Sequence, residues 1–493
     1  MNRHVRVETG IKSLARPNLF RESAYVGGVW TNAPETLPVY DPASGEKIGT
    51  IPSLSKRVVE HAVGAAHQAF AEWRARTARE RSQLLRRWHA LIEANAQDLA
   101  RLITTEQGKP LAEAAAEVQS TAAYVEWFAE EARRAYGDTI PAHRPDKRIL
   151  VNKAPVGVVA AITPWNFPSS MIARKVAPAL AAGCTVVLKP SELTPFSAIA
   201  LAVLAEEAGL PPGVFSVVTG EPRTIGDVLI EDARVRKFTF TGSTVVGKQL
   251  AARAMNTVKR VSLELGGNAP FIVFEDADVD AAVEGAMLSK FRNSGQTCIC
   301  ANRFLIHDAV YDAFAQKLAE RAKALAVGNG ADPLTQQGPL ICKSAIKKVA
   351  RHVDDALSKG ARLLTGGKPH DNGRHFEPTV LADVSPASLL CHEETFGPLA
   401  ALIRFNDEQR AVALANDNAA GLAAYLFTRN LARAHRVSDA LEYGMVGINT
   451  GLLTTEVAPF GGVKESGLGR EGSHYGLDDY LDVRMVCIDV PAL

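Results

Sequence analysis

No stretch of this chain carries the ~18 to 20 consecutive apolar residues that a bilayer-spanning helix needs, so no membrane role is expected. The first twenty residues also lack the apolar core of a secretory signal. They hold Arg3, Arg6, Lys12 and Arg16 against one acid, Glu8. That segment reads either as a frayed terminus or as the start of a mitochondrial transit peptide. Charge of one sign is missing as well. The net charge is +1, and the basic residues form no dense stripe, which argues against nucleic acid or an anionic membrane as partner. Cysteine is sparse: Cys184, Cys298, Cys300, Cys342, Cys391 and Cys487 are scattered, and no two form CxxC. With dispersed histidines, this predicts free thiols in a reducing, cytoplasmic compartment and no metal site. Repeats and low-complexity linkers are absent too.

What is present is an ordinary globular composition, 47% apolar and 22% charged over 493 residues. That length suggests roughly two to four domains. Residues 55 to 136 read as helices: Val59, Ala62, Val63, Ala66, Ala69, Phe70 and Trp73 recur at helical spacing, and Leu84, Leu85, Trp88, Leu91 and Ile92 continue in a second helix. Gly108-Lys109-Pro110 breaks the run before a third. From about 148 the texture changes. Val156 to Ile162, Thr185 to Leu188, Val214 to Val218, Lys237 to Phe240 and Val261 to Leu265 read as strands. Between them lie helices, one over about 169 to 182 with Gly183 as its stop. Such alternation predicts a parallel sheet covered on both faces, with ligands beyond the carboxyl ends of the strands. A second α/β series follows Gly266-Gly267, opening with a strand over Ala269 to Phe274 and a helix over Asp278 to Asn293. Tyr480 to Val490 reads as a lone strand that needs a sheet from another element or subunit.

Five segments carry candidate chemistry, and each has a bland reading beside the functional one. Cys298, after Gly295-Gln296-Thr297, is a nucleophile if its surroundings favour the thiolate, and otherwise an inert small hydrophobe. Glu264, at the end of an apolar strand and before two glycines, is a general base or a solvated strand end. Asn166 lies between Pro164 and Pro168, whose fixed backbone either aims its amide as an oxyanion donor or makes an ordinary turn. Lys189 and Glu192 end a strand where a ribose would sit, or form a solvated turn. Gly242 and Ser243 open a helix whose amides suit a pyrophosphate. Gly242 to Lys248 is nearly a phosphate-binding P-loop, but Gln249 stands where Ser or Thr should hold magnesium. Phosphoryl transfer therefore explains one segment, imperfectly.

Taken together, these segments resemble the aldehyde dehydrogenase superfamily. The shared pieces are TPWNFP (163–168), VVLKPSE (186–192), FTGS (240–243), LELGGN (263–268), GQTC (295–298), EETFGP (393–398) and PFGGVKESGLGREG (459–472). Within it, Met171 to Lys175, Lys290 to Asn293, Cys298 to Arg303 and Gly447 to Gly451 look most like the succinate-semialdehyde dehydrogenases. The resemblance implies a Rossmann-type dinucleotide-binding domain (1–137 and 154–265) and an α/β catalytic domain (266–478). It also implies a small β oligomerisation arm (138–153 and 479–493), and hence a homodimer or homotetramer. It implies that Cys298 attacks an aldehyde, that Asn166 and the Cys298 N–H hold the oxyanion, and that Glu264 activates water on the thioester. Trp165, Asn166, Lys189, Glu192, Gly242, Ser243, Leu265, Glu394 and Phe396 would bind the cofactor. That cofactor is expected to be NAD, because Glu192 repels a 2′-phosphate, with NADP tolerated through Lys189.

Arg174 and Arg292, with Thr455, are the expected clamp for a small aldehyde carrying a distal carboxylate. Structural ion pairing is the competing reading of both arginines. Succinate semialdehyde is the first substrate. Glutarate semialdehyde is the alternative, since one methylene is worth only about 1 to 3 kcal/mol of discrimination, and a broad aldehyde specificity comes behind. Cys300 either forms a reversible disulfide with Cys298, as in some relatives, or simply opens the next strand.

Overall fold

The computed structural model describes residues 10–370 and 373–490. Arg3, Arg6 and Glu8 lie outside the described residues. Among those described, no helix is long and apolar enough to cross a membrane.

Alternation of side chains along the strands explains the main layer. In the strands Val158–Ile162 and Thr185–Lys189, Val159, Ala161, Val186 and Leu188 face one apolar cluster, while Val158, Ala160 and Val187 face another. A strand buried on both faces needs helices on both sides. The first cluster is covered by the helices Ala78–Ala94, Ala96–Gln107, Leu111–Glu131, Ser170–Ala182 and Phe196–Glu207. The second is covered by Lys56–Ala75, Pro222–Glu231 and Thr244–Ala254. The helix Ser170–Ala182 is buried along its whole length and stops at Gly183, whose φ of +98° is the left-handed cap anticipated for it.

The parallel strands of this sheet run in the order Phe215–Val217, Thr185–Lys189, Val158–Ile162, Val235–Thr241, Arg260–Glu264. The order reverses between Val158–Ile162 and Val235–Thr241. That reversal opens a crevice at their carboxyl ends, where a doubly wound sheet binds its ligand. The chain leaves the sheet after Glu264 and enters a second, mostly parallel sheet at Ala269–Val273. There Phe271, Val273, Phe304 and Ile306 face one cluster, and Ile272 and Leu305 the other. The carboxyl edge of the first sheet thus meets the amino edge of the second, where Cys298 precedes the strand Ala301–His307.

The carboxyl-terminal strand, Leu481–Asp489, finds its sheet within the chain. It pairs antiparallel with Lys147–Pro155 from Leu481↔Pro155 to Asp489↔Lys147, and Asp138–Ile140 completes the layer. Val483 and Met485 stand exposed on it.

Apart from strand ends that shift by one or two residues, two helix boundaries differ from the expectation. The amino-terminal helical region has a further break at Asn95, whose side-chain amide donates to the Leu91 carbonyl (2.7 Å). The helix expected to reach Asn293 is Val279–Lys290, because Asn293 and Ser294 turn into left-handed φ of +51° and +55°.

Candidate active site

Glu264 is the last residue of its strand, and its backbone carbonyl accepts the Gly242 N–H (3.0 Å). The chain then crosses to the second sheet through Gly266-Gly267. A Cβ on Gly267 would stand 2.2 Å from the Cys298 carbonyl, so only glycine lets the two segments pass this closely. This close approach brings the base and thiol candidates, distant in sequence, to one cavity.

Three cavities lie in series. A cleft of about 1080 Å³ at the strand reversal is lined by Lys189, Glu192, Gly242, Ser243 and Trp165. It shares Trp165, Gly242 and Ser243 with a central cavity of about 420 Å³ that also receives Asn166, Glu264, Leu265, Cys298, Glu394 and Phe396. Beyond Cys298 lies a chamber of about 280 Å³ lined by Arg174, Arg292, Glu113, Phe167 and Phe460. Cys298 and Met171 border both of the last two. Thr455 departs from the expectation. Its neighbour Thr454 lines the chamber, while the Thr455 hydroxyl turns to Glu456 (3.3 Å) and its carbonyl accepts from the Tyr124 hydroxyl (3.2 Å).

The cleft suits a dinucleotide on the chain's own evidence. The helix Thr244–Ala254 points its amino end into it, and the buried hydroxyls of Thr163 and Thr241 have no partner there. Lys189 and Glu192 pair with each other at its edge (2.9 Å). Glu394 accepts the Gly267 N–H (3.1 Å), and burial pushes its carboxyl up to about 7. Phe396 holds a left-handed φ of +56° and meets the Trp165 ring edge-on at 5.5 Å.

Electrostatics set the resting state. Burial, then Glu394, pushes the Cys298 thiol up to about 12, against the pull of Arg174. At rest it is a thiol, not the thiolate that nucleophilic attack requires. Glu264 also rises well above the carboxylate range, through burial first and the Glu471 charge second, and its Oε2 has no partner. A carboxylate so raised holds a proton more tightly than a solvated one, as a general base must. The Asn166 amide donates to the Gln296 carbonyl (3.1 Å) and leaves its own oxygen unpartnered. Arg174 lies between the rings of Tyr124 (4.9 Å) and Phe460 (4.4 Å), with Nε and Nη1 unpartnered. Cys300 is buried and free, and Lys290 Nζ donates to its sulfur (3.3 Å).

Several residues that local patterns did not single out hold this assembly. Lys109 and Glu117 form a fully buried ion pair (2.5 Å). Lys109 also donates to the Asn166 carbonyl (2.7 Å), and Glu117 accepts the Ser169 and Ser170 N–H groups (2.8 and 3.2 Å) at the start of the Arg174 helix. Asn293 is fixed by Gln107 (3.0 Å) and Glu113 (2.7 Å) and donates to the Asn166 carbonyl (3.0 Å). Lys175 pairs with Glu471 (2.5 Å) beside Glu264. Glu117 and Lys175 are charges on largely apolar helices, and that oddity was their only sequence signal, while Lys109, Asn293 and Glu471 lie in turns and loops that no periodicity marks.

A doubly wound crevice opening onto a cavity that holds a free cysteine defines an α/β protein with a thiol beside a cleft large enough for a nucleotide. A model of the aldehyde dehydrogenase family matches residues 30–486. Glutarate-semialdehyde dehydrogenase of Pseudomonas putida (strain KT2440) is 57% identical over 96% of this chain and 98% of its own. Succinate-semialdehyde dehydrogenase (NADP(+)) of Escherichia coli (strain K12) is 56% identical over 96% of this chain and 98% of its own. The solved structure of succinate-semialdehyde dehydrogenase from Burkholderia pseudomallei has a TM-score of 0.96 at 58% identity, covering 97% of this chain and 100% of that one. The chain belongs to the aldehyde dehydrogenase family and is an oxidoreductase, as the motifs implied.

Proposed function

We propose that this enzyme oxidises an aldehyde with a distal carboxylate, succinate semialdehyde in the first reading, to the corresponding acid with NAD or NADP. The observation that carries the proposal is Cys298 between a cavity bearing Glu264 and Glu394 and a chamber bearing Arg174, whose Nε and Nη1 make no hydrogen bond. Glu264 takes the Cys298 proton, and the sulfur bonds to the aldehyde carbon. Asn166 and the Cys298 N–H hold the resulting oxyanion, and one such donor is worth about 3 to 4 kcal/mol of barrier. The bound nicotinamide dinucleotide supplies the hydride acceptor. Lys175 and Glu471, which pair beside Glu264 (2.5 Å), offer the Cys298 proton a way out. Glu264, ionised again, takes a proton from the water that attacks the thioester and returns it to the departing Cys298 sulfur.

Glutarate semialdehyde is the second reading, supported by the Pseudomonas putida relative's name and identity. For the cofactor, Glu192 favours NAD, while the Escherichia coli relative's name carries NADP. The same proposal assigns 1–137 and 154–265 to the dinucleotide, 266–478 to catalysis, and 138–153 with 479–493 to a homo-oligomer contact. A cytoplasmic setting fits the six cysteines, all free. The test is kcat/KM of the parent for succinate semialdehyde, glutarate semialdehyde and butanal with each cofactor, together with Glu264→Gln. An advantage of the acid semialdehydes, and one burst of reduced cofactor followed by a stall in the variant, are expected. Equal use of butanal, or steady turnover of the variant, would sink the proposal.

A further inference from the structure

The chamber beyond Cys298 holds a carboxylate where an anion is to be received. One face of the helix Leu111–Glu131 lines it, with Glu113, Ala116, Glu117 and Ser120 at spacings of three and four. Arg174 and Arg292 line the same chamber. Glu117 is neutralised by Lys109 (2.5 Å). Glu113 differs: its Oε2 accepts the Asn293 N–H (2.7 Å), and it makes no ion pair among the described residues. Burial raises the Glu113 carboxyl, and the Asn293 N–H, then Lys109 and Arg292, work against it.

Arg174 is the open group. Its nearest carboxylate oxygen, on Glu471, is 4.0 Å away, and Glu471 already holds Lys175 at 2.5 Å. The chamber thus presents one guanidinium with unpartnered donors, and a second that shares the space with the Glu113 carboxyl. That is room for a single negative charge. A doubly charged group bonded to Arg174 would carry its second charge towards the Glu113 carboxyl, in a chamber partly walled off from bulk solvent where screening is weak.

We propose that Glu113 is a specificity-determining residue that restricts the chamber to aldehydes whose distal group carries one negative charge, carboxylate or sulfonate, and rejects phosphate dianions. This rests on the reading of the chamber as a distal-anion site. Selection of this kind works through an unfavourable pairing against the wrong ligand.

Glu113→Gln tests it, because the amide oxygen still accepts from Asn293 while the charge goes. The measurement is kcat/KM for succinate semialdehyde and for glyceraldehyde 3-phosphate, at a pH where the phosphate is doubly ionised. The phosphate-to-carboxylate ratio is expected to rise at least tenfold in Glu113→Gln, through KM more than kcat, and to stay near the parent's in Glu113→Asp. A smaller rise, or a matching rise in Glu113→Asp, overturns the proposal. Should the glutamine variant fail to fold, inhibition of the parent by propanesulfonate and fully ionised propylphosphonate decides. The sulfonate should bind at least tenfold tighter, and equal or tighter phosphonate overturns the proposal. If the parent uses butanal as well as succinate semialdehyde, the distal-anion reading itself has failed. The parent panel shows that without any variant.

Discussion

Replacing Arg174 by Met separates recognition from electrostatics. The side chain is 5% exposed, so its loss must be filled, and Met keeps an unbranched body between the Tyr124 and Phe460 rings. Two donors, Nε and Nη1, are unpartnered in the free protein. A hydrogen bond between charged partners is worth about 1.5 to 3 kcal/mol. Nε and Nη1 lie on different edges of the guanidinium, so one carboxylate meets one of them, and about 3 kcal/mol, the top of that range, is expected from the clamp. At about 1.4 kcal/mol per tenfold, kcat/KM for succinate semialdehyde should fall on the order of 100-fold. Butanal has no distal acceptor and should change by less than about threefold on the same reasoning. The thermal midpoint should hold or rise, since an incompletely paired buried charge is removed while Glu471 keeps Lys175. A second effect competes. The Arg174 charge also pulls down the raised Cys298 and Glu264, and its loss through that route would slow every aldehyde alike. Steady-state kinetics with both substrates decides between them. If butanal falls as far as succinate semialdehyde, the carboxylate-clamp reasoning is refuted and Arg174 serves the thiol.

Alkylation of Cys298 in cofactor-free protein should follow its raised thiol, held up to about 12 by burial and then Glu394. Only the thiolate reacts, and below that value its fraction grows about tenfold per pH unit. The iodoacetamide rate, read by mass spectrometry at Cys298, should therefore climb steadily from about pH 7 to about pH 10, and a plateau below about pH 9 would contradict it. Lys109→Met leaves Glu117 buried without its cation, a loss of about 3 to 5 kcal/mol. Thermal unfolding should show a clear drop that Lys109→Met/Glu117→Gln largely restores, and equal loss in both would mean the ion pair is not the cause. Peroxide should inactivate the enzyme reversibly through a Cys298–Cys300 disulfide, with reductant restoring activity. A Cys300→Ala variant that recovers as fully as the parent would count against it.

What the sequence reading reached was local, and what it missed was held from a distance. The strand Thr185–Lys189 and the stop at Gly183 are legible because apolar runs and a left-handed glycine are properties of the segment itself. Cys298, Glu264 and Asn166 stand out for the same reason, each inside a short motif. The end of the helix Val279–Lys290 was misread because the helical spacing of Val283, Met287 and Phe291 runs on, while the turn at Asn293 is held by Gln107 and Glu113. No window along the chain contains both partners. Thr454 and Thr455 show the same limit at single-residue scale, since a loop without periodicity gives no basis for choosing between adjacent hydroxyls. The buried charges make the point energetically. Lys109, Glu117, Lys175 and Glu471 each look like solvated surface, because burying any one alone costs several kcal/mol. Only the fold supplies the partners, at 2.5 Å in both pairs. A polar group retained under that cost has to be held from several sides, and a group so held can in turn fix a neighbour. Lys109 fixes the Asn166 carbonyl, Glu117 the first turn beneath Arg174, and Glu471 the field around Glu264. The residues hardest to read from sequence are therefore the ones that aim the residues easiest to read.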